Sequence, residues 1–122
     1  MAKILLAEDD GPLLRLYTSA LKTEHVVFPA ETAAKAIQLI NEHHPDLVIL
    51  DLNMPDAPGT TILDYVTAHP QFAELQVVVI TGFAHYQREA LPKVVVDVLP
   101  KPVTTSTLLR VIEEVLTTRI SR

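Results

Sequence analysis

The chain has 122 residues, the usual size of one domain with a real core, and 48% of them are hydrophobic, which excludes a disordered tail. A formal charge of −5 argues against direct nucleic-acid binding, and the absence of cysteine excludes disulfides and thiolate chemistry. No apolar stretch approaches the roughly 20 residues of a membrane span, and the amino terminus is too acidic for a signal peptide, so a cytoplasmic setting is expected.

Taken in chain order, Ile4-Leu5-Leu6-Ala7 is a continuous apolar run that leads into Glu8-Asp9-Asp10 and reads as a strand buried on both faces. A helix is expected from Pro12 to about Lys22, with Asp10 as its cap, proline in the first turn and Leu13, Leu14, Leu16, Tyr17, Ala20 and Leu21 at helical spacing. His25-Val26-Val27-Phe28 reads as the second strand. Thr32 then caps a helix to about His43, with Ala33, Ala36, Ile37 and Ile40 on its inner face and Pro45 stopping it. The third strand, Leu47-Val48-Ile49-Leu50, ends on Asp51. Pro58-Gly59 and His69-Pro70 bound a helix from about Thr60 to Ala68. Val77-Val78-Val79-Ile80 ends at Thr81-Gly82, and a short helix is expected over Ala84 to Leu91. The run from Val94 to Leu99 leads to Pro100-Lys101-Pro102, and Thr104 caps a last helix to about Arg119.

This alternation is a strand and a helix repeated five times, with no internal repeat, low-complexity tract or linker. Parallel strands need helical crossovers, right-handed in nearly every case. The expected fold is α/β: one domain over residues 1–122, a doubly wound three-layer sandwich whose parallel five-stranded sheet has the flavodoxin-like order 2-1-3-4-5. In such a sheet, groups just past the carboxyl ends of the strands share one crevice at the topological switch point. Glu8, Asp9, Asp51, Thr81 and Lys101 are therefore expected to meet.

Three carboxylates in one crevice repel each other by about 4 kcal/mol per pair at ~4 Å and an effective dielectric of about 20. A divalent cation relieves that repulsion, and an all-oxygen ligand set suits Mg²⁺. Metal, lysine and hydroxyl together suit a phosphoryl group, whose transfer depends mostly on positioning and charge neutralisation. No general base is evident for attack by water or an alcohol, which leaves a carboxylate as the nucleophile.

Glu8-Asp9, Asp51-Leu52-Asn53-Met54-Pro55, Gly59, Thr81 and Lys101-Pro102, in this order and each at the end of its strand, carry a resemblance over essentially the whole chain. The sequence resembles a response-regulator receiver domain of two-component signalling. The resemblance implies that Asp51 accepts a phosphoryl group from a phosphohistidine of a sensor histidine kinase or histidine phosphotransferase. Glu8 and Asp9 would hold Mg²⁺ with Asp51, and Asn53 would offer its backbone carbonyl to the metal. Thr81 would donate its hydroxyl to the phosphoryl group, Lys101 would pair with the phosphoryl oxygens or with Asp51, and the bond before Pro102 would be cis. A downstream protein partner or effector domain would read the change. A dimer could form through the expected fourth helix, the fifth strand and the last helix. With the chain stopping at that last helix, output by binding is expected, from a stand-alone regulator or from one domain of a longer protein.

The resemblance breaks at Val98, where the family usually has an aromatic reporter, and at Val94-Val95, which replace the usual Gly-Ala. Phe83 and Tyr86 are the rings nearest in sequence to the threonine; either one takes over part of the signalling, or the output is weakly coupled. Phe83 is also a candidate to crowd the phosphoryl group. Two other functions compete. A Mg²⁺-dependent phosphohydrolase working through an aspartyl-phosphate is disfavoured because a nucleophile of the haloacid-dehalogenase type follows strand 1, with a second aspartate two residues on. Asp51 follows strand 3 and has Asn53 at that place. A degenerate receiver that binds partners without phosphorylation is favoured by Val98 and opposed by the intact acids, threonine and lysine. The remaining aromatic and imidazole side chains suit packing: Tyr17 and Phe28 fit the core, and His43, His44 and His69 fit helix ends and loops.

Overall fold

Continuous apolar runs become strands here because both of their faces are covered. The computed structural model describes residues 1–58, 60–82 and 91–120, with residues 119 and 120 by backbone only. Within it, β1 (Lys3–Ala7), β2 (Val26–Ala30), β3 (Leu47–Asp51), β4 (Gln76–Thr81) and β5 (Val95–Pro100) pair in parallel in the order β2-β1-β3-β4-β5. Every residue of β3 and β4 is buried, as expected for the interior of a sheet covered on both sides.

Four α-helices are present among the described residues: α1 (Gly11–Leu21), α2 (Ala33–His43), α3 (Thr60–Ala68) and α4 (Thr105–Ile120). Successive side chains of a strand point to opposite faces, and the two cores follow that alternation. Leu5, Val48, Leu50, Val77 and Val79 pack with Ala36, Ile40, Ile62 and Leu63 of α2 and α3. Ile4, Leu6, Ile49, Val78 and Ile80 pack with Leu14, Tyr17, Leu108 and Ile112 of α1 and α4. The sheet thus lies between two helical layers, as the sequence predicts.

The caps also follow the sequence. Asp10 accepts from the Leu13 N–H at 3.0 Å, Thr32 from Lys35 at 3.1 Å and Thr104 from Thr107 at 3.1 Å. Helix α2 ends at His44 in the left-handed region (φ 47°), immediately before Pro45.

Three details differ from the sequence reading. Strand β2 starts at Val26 rather than His25 and continues through Pro29 to Ala30, which an edge strand tolerates because proline's missing N–H leaves no interior partner unpaired. A 3₁₀ turn at Pro70–Phe72, absent from the sequence reading, buries the Phe72 ring under the chain leading into β4. Strand β5 contains a bulge: Val77 pairs with Val95 but Val78 pairs with Asp97, leaving Val96 as the extra residue. The helix expected over Ala84 to Leu91 lies outside the described residues except for Leu91, as does Gly59.

Ile49 is fully buried between β3's neighbours and the α1/α4 layer. Ile49→Ala is expected to lower stability by about 2–5 kcal/mol, read as a fall in the urea midpoint at unchanged slope. An unmoved midpoint would contradict this account of the core.

Candidate functional site

Strand register brings the chemical groups together. Ala7 pairs with Leu50, so Glu8 and Asp51, the next residue on each strand, emerge side by side at the switch point. Thr81 pairs with Pro100, which places Lys101 just beyond, and the Lys101 N–H donates to the Thr81 carbonyl at 2.9 Å. The backbone also ties the loops down. Glu8 N–H donates to Ala30 O at 3.0 Å, and Leu52 N–H to Ile80 O at 3.3 Å.

At the centre is Asp51, its side chain only 1% exposed. The Lys101 ammonium donates to its Oδ2 at 2.9 Å, and the Asn53 N–H donates to Oδ1 at 2.9 Å. Glu8 is equally buried, at 1%. Its Oε2 accepts from the Asp10 N–H at 3.2 Å, while Oε1 is buried with no donor facing it. Asp9 is exposed, and Thr81 is buried at the end of β4. Glu8, Asp9, Asn53 and Lys101 line one open cleft of about 420 Å³, with Tyr17 at its side. The expected set therefore converges: Glu8, Asp9, Asn53 and Lys101 in the cleft, Asp51 held by Lys101 and Asn53, and Thr81 beside Lys101. The peptide before Pro102 is cis.

The electrostatics of this cluster are strained. Burial, then a shared hydrogen bond with Asp51 and the repulsion of its charge, push the Glu8 carboxyl from 4.5 up to about 8, against the weaker pull of the Asp10 N–H and Lys101. Burial alone would lower the Lys101 ammonium, but the hydrogen bond and charge of Asp51, with Glu8 and Asp9 behind it, hold it above its ordinary value. Without a cation, Glu8 is thus a protonated acid beside an ion pair.

One carboxylate oxygen each from Glu8, Asp9 and Asp51 lie within 4.8 Å of one another. This all-oxygen set, with an undonated buried oxygen on Glu8, fits a hard divalent cation such as Mg²⁺. A second group, Glu24, His25 and Glu113, has similar spacing but different chemistry. The Ala2 N–H donates to His25 Nδ1 at 3.1 Å, which leaves the ring proton on Nε2, the nitrogen 3.4 Å from Glu113. A proton-bearing Nε2 faces that carboxylate without a hydrogen bond to it and offers no lone pair to a metal.

Two contributors escape sequence reading. Tyr17 belongs to the core, as expected, but its hydroxyl also donates to the Val103 carbonyl, tying α1 to the segment that carries Lys101 and Pro102. Burial, then the charge of Glu8, hold that hydroxyl above its ordinary value, so it stays a donor. Asp56 accepts from the Ala33 and Ala34 N–H groups at 2.8 and 3.0 Å, joining the loop after β3 to the start of α2. Both contacts link residues far apart in the chain, and only a search for polar side chains near the motif would have raised them. Val98, in place of an aromatic, packs half-buried against the α2/α3 core, and its N–H donates to Asp97 Oδ1 at 2.9 Å. Phe83 and Tyr86 lie outside the described residues.

Two predictions follow from this geometry. Because folding raises the Glu8 value, the stability it contributes is complete below about pH 4.5 and is lost as pH rises through about 8. Urea midpoints without divalent cation are therefore expected to fall across that window, and Glu8→Gln to flatten the fall. An equal slope in both proteins would contradict the assignment. Tyr17→Phe removes the donor to Val103 and is expected to cost about 1 kcal/mol in thermal or urea unfolding.

The comparisons with known proteins agree with this arrangement. Residues 4–113 match the family model described as the response regulator receiver domain. An uncharacterized response regulatory protein of Vibrio cholerae is 34% identical over 105 residues, covering 82% of this chain and 40% of that protein. The chain spans less than half the length of the first curated relatives it matches. Among solved structures, the signal receiver domain of a LuxO repressor protein from Vibrio parahaemolyticus superposes with a TM-score of 0.83 at 30% identity, over 97% of this chain and 92% of that one. A CheY-like receiver domain protein from Methanospirillum hungatei gives a TM-score of 0.87 at 25% identity, over 99% and 98%. With its 2-1-3-4-5 sheet and its acids gathered at the switch point, the chain belongs to the response regulator receiver domain family of two-component systems.

Proposed function

We propose that residues 1–122 form one receiver domain that accepts a phosphoryl group on Asp51 from the phosphohistidine of a sensor histidine kinase or histidine phosphotransferase. The observation that carries this reading is the Asp51–Lys101 pair at 2.9 Å, with the Glu8 and Asp9 carboxylates alongside. In the transfer, an Asp51 carboxylate oxygen attacks phosphorus and the P–N bond breaks. The imidazole leaves with the bonding electron pair and takes a proton from solvent. Bound Mg²⁺, held by Glu8, Asp9, Asp51 and the Asn53 carbonyl, would supply positive charge to the phosphoryl oxygens. Lys101 and Thr81 would bind the same oxygens.

The protonated state of Glu8 gives this reading a further feature. A cation binding the three acids has to displace that proton, so cation affinity rises with pH up to about 8. In the phosphorylated state the Asp51 charge is spread over a larger dianion, and Lys101 follows it from the carboxylate to the phosphoryl group. The output is binding of a downstream protein or effector domain, in the cytoplasm. No substrate other than the donor's phosphoryl group is turned over. Among the described residues, no helix is long and apolar enough to cross a membrane.

The test is intact-mass analysis after incubation with Mg²⁺ and a small acyl-phosphate donor. Wild type is expected to gain one hydroxylamine-sensitive phosphoryl group, whereas Asp51→Asn and wild type with chelator gain none. A wild type that stays unmodified overturns the proposal in favour of phosphorylation-independent binding.

A further inference from the structure

The loop between β3 and α3 carries Asn53, and three contacts fix its course. Its start is held by the Leu52 N–H on Ile80 O at 3.3 Å, and Asn53 and Pro58 form an antiparallel bridge that closes the loop on itself. The third contact reaches out of the loop: both Asp56 carboxylate oxygens accept N–H groups from the first turn of α2, Ala33 at 2.8 Å and Ala34 at 3.0 Å.

That turn has a cap of its own besides Asp56. Thr32 already caps α2, with its Oγ1 on the Lys35 N–H and its carbonyl on the Ala36 N–H. The N–H groups of the first two helical residues have no carbonyl partner within the helix, and Asp56 supplies an acceptor to each, to buried Ala33 and to exposed Ala34. Engaging them with a carboxylate from a remote loop therefore joins that loop to the helix. The same corner of the chain also holds the acid pair, because Ala30, at the end of β2, accepts the Glu8 N–H at 3.0 Å. Residues 30–34 are thus a common abutment for the two sides of the cleft: Glu8 through Ala30, and the Asn53 loop through Asp56.

We infer that Asp56 is a positioning residue for the cation side of the site, holding Asn53 at a fixed separation from Glu8 and Asp9 by pinning its loop to α2. The inference rests on the proposed Mg²⁺ role of Asn53. The N–H groups of Ala33 and then Ala34 hold the Asp56 carboxyl below its ordinary value, so it stays an acceptor at neutral pH.

The test is calorimetric titration of the metal-free protein with MgCl₂, with thermal unfolding run in parallel on Asp56→Ala, Asp56→Asn and Thr32→Ala. Asp56→Ala is expected to weaken Mg²⁺ binding by about 3- to 10-fold, at or below the low end for outer partners of a metal site because Asp56 is exposed. Asp56→Asn keeps one acceptor oxygen and is expected to fall between Asp56→Ala and wild type. Thr32→Ala removes the cap of the same helix but leaves the loop attached, so it is expected to lower the melting temperature without changing Mg²⁺ affinity. An unchanged affinity in Asp56→Ala, or an equal loss in Thr32→Ala, overturns the positioning role while the metal site stands. A wild type that binds no Mg²⁺ overturns the metal site itself, and this inference with it.

Discussion

Two parallel strands neighbour each other at the switch point, one running into an acid and the other ending on one, and register sets those acids side by side. Ala7 opposite Leu50 leaves no freedom in where Glu8 and Asp51 emerge. Both carboxyls are almost wholly buried, which strengthens their repulsion and removes the water that would screen it. The nearby polar groups act as remedies for that conflict. Lys101 neutralises Asp51, the Asn53 and Asp10 N–H groups each take one oxygen, and Glu8 keeps its proton. Even so, among the described residues no N–H or O–H of another residue donates to the buried Oε1 of Glu8.

The loops that carry these groups are held in turn by side chains that do not touch the acids. Tyr17 of α1 fastens the segment after Pro102, and the corner before α2 receives both Glu8's backbone and the Asp56 carboxylate. Helices on both faces of the sheet are thereby tied to the loops around one cleft. The site is buried where it meets the sheet and open to solvent at Asp9 and, in part, at Lys101.

Much of this was legible in the sequence. Buried strands announce themselves as uninterrupted Val, Ile and Leu runs, and the residue after each run had to sit at the carboxyl edge of the sheet. That is why Glu8, Asp51, Thr81 and Lys101 are found together. The caps Asp10, Thr32 and Thr104 were legible for a similarly local reason. Contacts whose partners are distant in the chain were not legible. Tyr17 looked like any apolar helix position, because burial of its ring and the bond made by its hydroxyl leave the same periodicity. Nothing next to Asp56 in sequence indicates its contact with α2. The Pro70–Phe72 turn was missed because a three-residue helix has no period to detect.

The bulge in β5 bears on a different hazard. The run Val94 to Val98 is the kind of short, strongly β-forming segment that pairs with copies of itself, and β5 lies at the edge of the sheet. Doubling Val96 and Asp97 against Val78 breaks the regular spacing of that edge, and Asp97 places a charge within it. Pro100 then removes a donor at the end of the strand. The same irregularity that brings Lys101 into phase with Thr81 therefore makes the valine edge a poor template for a second chain, and guards the protein against aggregation.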